Sequence, residues 1–327
     1  MNIKIYLIIF IFIIPSFNNA VGYEYNFEEI HQYCSEDIEV NNFNLIPIWE
    51  VGDSWKYKIY EIVFVNEELN NPINITFDEC VLTLEVVETL GNYYTLDFNT
   101  KLYGTFELIF DNYNIKIFGK FNIFNPLRAH GSILIDKNNL SINDFTLYLS
   151  GLFKINFANK LLFTFPVPID LCIELSAEPD LKILNFPLIV ENIYGLPSFN
   201  ITIDGEFSSP WFRIIKTVNR ISKLFGSPLF SDEFADFLPR IDFGDILEWY
   251  SGDNVYFINN LTWYDVPVFA VAGFENITTL AGTYEAYHIL FPFDMGSIYY
   301  APEVGNIIIL ELNPFTRMEL IETTFSD

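Results

Sequence analysis

The sequence has few basic residues. It contains 17 Lys and Arg against 43 Asp and Glu, and its formal net charge is −26. Proteins that bind nucleic acids need Lys and Arg to displace the counterions of the phosphates, so nucleic acid is excluded as an expected partner. The charge balance also disfavours attraction of the whole molecule to anionic lipid. Because 51% of the residues are hydrophobic, a folded chain is expected rather than a disordered one.

Histidine and cysteine are scarce, with three of each. Only His31 and Cys34 have a spacing that two zinc ligands would use, and one pair does not make a site. The sequence has no Gly-x-Ser-x-Gly elbow, no Gly-rich phosphate loop and no Asp-x-Asp-x-Asp-Gly calcium loop. Acidic pairs such as Glu178 and Asp180 are interpreted as solvated charge. We therefore predict no catalytic residues, no metal site and no cofactor, and a protein that is not an enzyme.

Long apolar runs are confined to the N-terminus. The run from Ile5 to Ile14 follows Lys4 and ends at Pro15, with small or polar residues up to Ala20. This pattern is typical of a secretory signal peptide and predicts one over residues 1–20. An uncleaved anchor is the alternative, although a spanning helix needs about 20 apolar residues. The protein is expected to be secreted or on the cell surface, with an acidic, irregular leader over residues 21–45.

Export has two chemical consequences for the side chains. An oxidising compartment favours one disulfide among the three cysteines. Cys80 and Cys172 both lie in strand-like sequence and form the preferred pair, with three free thiols as the alternative. Glycosylation acceptors of the Asn-x-Ser/Thr type occur at Asn74, Asn139, Asn200, Asn260 and Asn276.

The body of the chain predicts antiparallel β-structure. Aromatic residues make up 18% of the sequence and suit a half-buried pleated surface. Trp55, Tyr57 and Ile59 alternate with Lys56 and Lys58, which is the period of two of a strand with one wet face. We expect a first β region over residues 46–185 and a second over residues 186–327. The fold class is mainly β, of the α+β type, with one or more strongly curved antiparallel sheets or a half-barrel.

A late helical insertion is predicted over residues 210–250, because there the apolar residues adopt helical spacing. One helix face would carry Trp211, Ile214, Ile215, Val218, Ile221, Leu224 and Phe225. This face is expected to cover the concave side of the sheet as an apolar lid. The alternative is a basic amphipathic helix that lies on an anionic membrane.

Two passages at the ends of the body carry a resemblance to a known family. They are WEVGDSWKY at Trp49–Tyr57, and AGTYEAY at 281–287 followed by IYYAPEVGNII at 298–308. Together they resemble the secreted, mostly archaeal and bacterial envelope proteins of unknown function that share a half-barrel fold with lipoprotein carriers of the LolA/LolB type. The resemblance implies a curved antiparallel sheet covered by helices and carries over no functional residue. Because residues 101–185 exceed the usual family size, two sheets or one enlarged sheet are expected.

The functional expectation is an exported, non-enzymatic protein that binds a lipid or another apolar ligand between sheet and helix, in association with the cell envelope. The alternatives are a structural or adhesive surface protein without a ligand and, third, a secreted hydrolase. The segment GSIYYAPEVGNIIILE is interpreted as strand, turn and strand. Its turn includes Gly305 at positive φ, and the segment is expected to close the sheet that Trp49–Tyr57 opens.

Overall fold

The chain is mainly β. The computed structural model describes residues 46–60, 62–66, 73–110, 115–157, 161–195, 199–208, 247–251, 254–263, 268–291, 296–312 and 316–325. The first ten strands are β1 Ser54–Ile59, β2 Ile62–Asn66, β3 Ile73–Phe77, β4 Cys80–Leu90, β5 Tyr93–Leu102, β6 Gly104–Phe110, β7 Ile115–Phe121, β8 Leu127–Asp136, β9 Ile142–Phe157 and β10 Leu161–Leu181. The remaining strands are β11 Ile193–Gly195, β12 Phe199–Ser208, β13 Leu247–Ser251, β14 Asn254–Trp263, β15 Val268–Thr278, β16 Thr283–Leu290, β17 Gly296–Ala301, β18 Asn306–Leu312 and β19 Thr316–Thr323. In the described part, the only helical element is a 3-10 turn at Pro302–Val304.

All pairings between these strands are antiparallel and join them into one sheet. The spatial order is β11–β15–β16–β17–β18–β19–β1–β4–β5–β8–β9–β10–β12–β14–β13. Strands β2, β3, β6 and β7 extend the same sheet and reach β9 through β7. Consecutive strands are mostly neighbours, so the sheet is a meander. The expected enlarged antiparallel sheet is confirmed.

Several strands are interrupted at the same level of the sheet. Asp78 and Glu79 separate β3 from β4, Tyr103 separates β5 from β6, and residues 122–126 separate β7 from β8. Gly104 has a φ of 151°, and a Cβ there would lie 2.0 Å from the Thr76 carbonyl oxygen. Glycine is therefore required at this point, where β6 begins beside β3.

The main core lies on one face of the sheet, which we call the inner face. Alternate residues of each strand are buried there, as the period of two predicts. In β1 these are Trp55, Tyr57 and Ile59, which the sequence assigned to a single face. The inner face also includes buried side chains of β4, β5, β8, β9, β10 and β12.

A second, smaller cluster covers the opposite face of β15–β17. Leu184, Leu188 and Tyr194 come from the segment after β10 and pack with Phe269 and Ile289. The Tyr194 ring stacks on Phe269 with centroids 5.5 Å apart. In β16, Ala286 belongs to the main core whereas Tyr287 and Ile289 belong to the second cluster. This part of the sheet is therefore buried on both faces.

The first described residues are hydrogen-bonded to the β17–β18 hairpin. The indole N–H of Trp49 donates to the Gly305 carbonyl oxygen at 3.0 Å, and that of Trp55 donates to the Val304 carbonyl oxygen at 2.9 Å. The Tyr57 hydroxyl donates to the Ile307 carbonyl oxygen at 2.8 Å. We call Trp49, Trp55 and Tyr57 the aromatic clamp. It connects β1 to the β17–β18 turn, while β1 itself pairs with β19.

The β17–β18 segment has the predicted strand, turn and strand. Gly305 follows the 3-10 turn with a φ of 64°, and its N–H donates to the Pro302 carbonyl oxygen at 2.9 Å. The expectation that this segment closes the sheet beside β1 is wrong, because β19 follows β18 and pairs with both β18 and β1.

The prediction of a helical insertion over residues 210–250 is wrong in the part of that range that the structure describes. Residues 247–250 belong to β13, where Trp249 pairs with Tyr256 and Tyr250 with Val255. The antiparallel pairing with β14 therefore makes these residues a strand rather than a helix. Residues 210–246, including the predicted lid, lie outside the described residues, as do the signal peptide over 1–20 and the leader over 21–45.

The predicted disulfide is also wrong, because Cys80 and Cys172 are free thiols. Cys80 faces the inner core from β4, whereas Cys172 lies on the opposite face of β10. Strands β5, β8 and β9 lie between them, and neighbouring strands are about 4.8 Å apart. Two sulfurs so placed cannot be bridged without moving the backbone. The third cysteine, Cys34, lies outside the described residues.

We expect Gly305→Val to lower the free energy of unfolding by about 2 kcal/mol or more, because a branched residue is strained at positive φ. A Cβ at this position would also lie 2.9 Å from Cζ of Phe325. The measurement is urea unfolding followed by circular dichroism. Gly195→Ala is the matched control, since a Cβ there meets no atom within 4 Å. Equal stability of both variants would contradict the assignment, and no change in ligand specificity is expected.

Candidate functional site

The inner face is the surface on which the predicted apolar ligand would lie. Strands β9, β10 and β12 contribute Phe145, Leu147, Ile173, Ile201 and Ile203, all of them buried. Phe98 of β5 stacks on Phe145 with ring centroids 5.3 Å apart and planes inclined by 6°. The chemistry that this face offers is contact with apolar groups.

Gly131 of β8 makes this stacking possible. It is the cross-strand partner of Phe98 on one side and of Leu147 on the other. A Cβ at Gly131 would lie 1.8 Å from the Thr146 carbonyl oxygen and 2.9 Å from Cζ of Phe98. The Phe98 ring therefore lies over the glycine, and this part of the inner face is closely packed.

The lid residues of the sequence prediction cannot be placed against this face. Trp211, Ile214, Ile215, Val218, Ile221, Leu224 and Phe225 all lie outside the described residues. Of the proposed ligand surface, the structure therefore describes the side that the sheet provides. Two further groups of acidic residues in the sequence also lie outside the described residues: Asp232, Glu233 and Asp236, and Asp242 and Asp245.

The opposite, outer face carries a polar row that the sequence analysis missed. Asn99, His130, Tyr148, Cys172 and Glu206 are successive cross-strand neighbours on β5, β8, β9, β10 and β12. The imidazole of His130 stacks on the Tyr148 ring with centroids 5.4 Å apart. Only the register of five strands brings these residues together, so their separation in sequence gave no signal.

The thiol in this row is not activated. Burial raises the pKa of Cys172, and the carboxylates of Glu174, Glu206 and Asp204 raise it further, although a hydrogen bond with Tyr148 lowers it. The pKa of Tyr148 is raised, mainly by its interaction with Cys172. A nucleophilic cysteine needs the thiolate, which positive neighbours favour and carboxylates oppose. This row therefore does not have the electrostatics of a cysteine enzyme.

A second polar group surrounds His288 of β16. Its ring stacks on Tyr299 with centroids 4.4 Å apart, and its Nδ1 lies 3.4 Å from Oε1 of Glu275. Burial lowers the pKa of His288, while Glu275 and Glu311 act in the opposite direction. Arg317 pairs with Glu311 at 2.8 Å. Burial therefore has a larger effect on the pKa of this imidazole than the two acidic side chains.

The buried carboxylate of Glu319 is structural. The Tyr60 hydroxyl donates to its Oε2 at 2.7 Å, and the Leu280 N–H donates to its Oε1 at 2.9 Å. These bonds join the end of β1 to the β15–β16 turn. Asp180 has a comparable role, because its carboxylate accepts hydrogen bonds from Nδ2 of Asn143 at 2.8 Å and Oγ of Ser141 at 3.3 Å.

The five glycosylation candidates occupy strands and one turn. Asn139 lies in the turn between β8 and β9, and its Oδ1 accepts from the Ser141 N–H at 2.8 Å. Asn200 and Asn276 are exposed on β12 and β15, and Asn74 lies on β3. Asn260 on β14 is the partner of Thr202, and Asn200 is the partner of Thr262, so two acceptor motifs face each other across one strand pair.

No protein-family model, no curated protein and no solved structure matches this chain. In the part of the chain that the structure describes, no three His, Cys, Asp or Glu residues are grouped so that they could hold a metal ion.

The two thiols are expected to react separately with a thiol reagent. Cys172, half-buried on the outer face, should be labelled in the folded protein, whereas the buried Cys80 should require denaturant. Labelling of Cys172 should accelerate as pH rises, because the thiolate is the reactive form, and its raised pKa should extend this acceleration to higher pH. Mass spectrometry of labelled peptides is the measurement, with Cys172→Ser as the control. A peptide that contains a Cys80–Cys172 disulfide would contradict the structure.

His288 is expected to make stability depend on pH. Because its pKa in the folded protein is below the ordinary value of 6.5, the unfolded chain binds the proton more readily. Its stabilising contribution is complete above about pH 6.5 and is lost as pH falls toward the folded pKa. Urea unfolding across this window should show the loss in the natural protein and in His130→Gln, but less of it in His288→Gln. An identical pH profile for all three proteins would disprove the assignment.

Proposed function

We propose that this chain is an exported, non-enzymatic protein that binds a lipid or another apolar ligand against the inner face of its curved sheet. The observation that carries the proposal is the separation of chemistry between the two faces. Apolar and aromatic side chains occupy the inner face from β1 to β12, whereas the polar row from Asn99 to Glu206 lies on the outer face of these strands. Apolar sites with few polar groups are typical of ligand-binding proteins.

The half-barrel resemblance at Trp49–Tyr57 and at residues 281–308 supports the same proposal. The aromatic clamp joins these two passages directly. A curved sheet covered by helices, as in carriers of the LolA/LolB type, would provide the apolar site.

The alternative of a structural or adhesive surface protein has its own supporting observation. The Phe98–Phe145 stack over Gly131 fills the inner face at the centre of the sheet. A core packed at this density along its whole length has no space for a ligand. Whether the purified protein contains a bound ligand therefore distinguishes a ligand-binding protein from a structural or adhesive one.

No helix in the described ranges is long and apolar enough to cross a membrane.

Native mass spectrometry of the gently purified protein tests the proposal. A ligand-binding protein should carry an additional mass that disappears after unfolding and refolding, and organic extraction of the same sample should identify the molecule. The refolded, empty protein should have a lower melting temperature, because a ligand that binds only the folded state stabilises it. Addition of N-phenyl-1-naphthylamine should restore the melting temperature, and the fluorescence of this dye should increase.

The result that would overturn ligand binding is a protein that has no additional mass, melts at the same temperature before and after refolding and does not bind the dye. That result would favour the structural or adhesive protein. Gly195→Ala serves as the matched variant, since it changes no contact of the inner face and should retain the ligand.

A further inference from the structure

The two most exposed large apolar side chains of the described residues are neighbours in sequence. Ile123 is 82% exposed and Phe124 is 90% exposed. They form the tip of the segment Asn122–Asn125 between β7 and β8, which we call the apolar turn. Single exposed apolar residues are common on protein surfaces, but an adjacent pair of such exposure in one turn needs an explanation.

The apolar turn has a defined conformation. The Asn125 N–H donates to the Asn122 carbonyl oxygen at 2.9 Å, and the Asn122 N–H donates to the Asn125 carbonyl oxygen at 3.2 Å. Oδ1 of Asn122 also accepts from the N–H groups of Phe124 at 3.0 Å and Asn125 at 3.2 Å. Asn122 therefore fixes the turn through its side chain, in the manner of an Asx turn.

The fold does not require apolar residues at the tip. Turn positions normally carry Gly, Asn, Asp, Pro or Ser, each for a conformational reason. Neither Ile123 nor Phe124 has a positive φ, and their exposure shows that neither contributes to the core. The return of the chain into β8 is accommodated instead by Gly151 of β9, where a Cβ would lie 3.1 Å from Cδ1 of Leu127.

Basic residues flank the apolar turn on a chain with a net charge of −26. Lys120 precedes it by two residues, Arg128 follows it by three, and Lys101 is the cross-strand partner of Arg128. All three are exposed. Among the described residues, none of the three forms a salt bridge. Their charge is available to an anionic partner.

We infer that the apolar turn docks the protein on the surface of an anionic phospholipid bilayer. Ile123 and Phe124 would enter the boundary between headgroups and acyl chains, as the apolar residues of interfacial segments do. Lys101, Lys120 and Arg128 would contact the lipid phosphates, where each basic residue near the surface adds to binding. This local attraction opposes the repulsion of the acidic remainder of the chain. The inference does not depend on ligand binding at the inner face.

Vesicle flotation of the protein purified after export tests the inference. The natural protein should float with vesicles of phosphatidylcholine and phosphatidylglycerol, and less with phosphatidylcholine alone or in high salt, because salt screens exposed charges. The variant Ile123→Ser/Phe124→Ser should lose about tenfold or more in partition coefficient. Replacement of Lys101, Lys120 and Arg128 by Gln should reduce binding mainly to the anionic vesicles.

Two further variants make the result specific. Ile189→Ser/Leu280→Ser removes two other exposed apolar side chains, of 48% and 63% exposure, and should bind as the natural protein does. Phe124→Trp should show an emission that shifts to the blue when anionic vesicles are added, more than the emission of the natural protein does, and that brominated lipid quenches. All variants should retain the melting temperature, since the changed side chains are exposed.

The inference is overturned if the natural protein does not float, or if Ile123→Ser/Phe124→Ser floats equally well. It is also overturned if this variant instead abolishes a concentration-dependent self-association without lipid, because the occupant would then be a second copy of the chain. Loss of vesicle binding with the same co-purified mass in the variant separates this site from the inner face.

Discussion

The hydrogen bonds of the aromatic clamp are the contact on which the rest of the sheet depends. Trp49 and Trp55 reach the carbonyl oxygens of Gly305 and Val304 across some 250 residues of chain. Their rings also pack together, with centroids 5.2 Å apart, and Trp55 stacks on Phe325. Since the β17–β18 turn accepts these bonds while β19 pairs with β1, the beginning and the end of the described chain form one unit. Both halves of the meander extend from it.

This constraint explains the two-faced chemistry of the sheet. A strand whose register is fixed at the clamp must direct alternate side chains to opposite faces. The same alternation places Phe98, Phe145 and Ile173 inside and the His130–Tyr148–Cys172 row outside. Proposals of function follow this division. The proposed ligand binding concerns the inner face, whereas the inferred membrane docking concerns the apolar turn, where the chain leaves the sheet.

The sequence was sufficient for features that depend on local order. The alternation of Trp55, Tyr57 and Ile59 and the Gly305 turn are set by neighbouring residues, and both were predicted. The sequence was insufficient where pairing with distant strands decides the conformation or the contacts of a residue. The residues of β13 have helical spacing, yet pairing with β14 makes them a strand. The predicted Cys80–Cys172 disulfide was wrong, because strand-like sequence reveals neither the face of the sheet on which each cysteine lies nor the number of strands between them. The polar row and the surroundings of His288 arise from register alone.

Hydrogen exchange in the Trp55→Phe variant tests the central role of the clamp most directly. The substitution keeps an aromatic ring but removes the donor to the Val304 carbonyl oxygen, and the loss of such a buried bond costs about 1–3 kcal/mol. Our account predicts that amide protection falls together in β1, β17, β18 and β19, because these strands depend on the same contact. Loss of protection confined to the residues around Trp55, with β17–β19 unchanged, would contradict it.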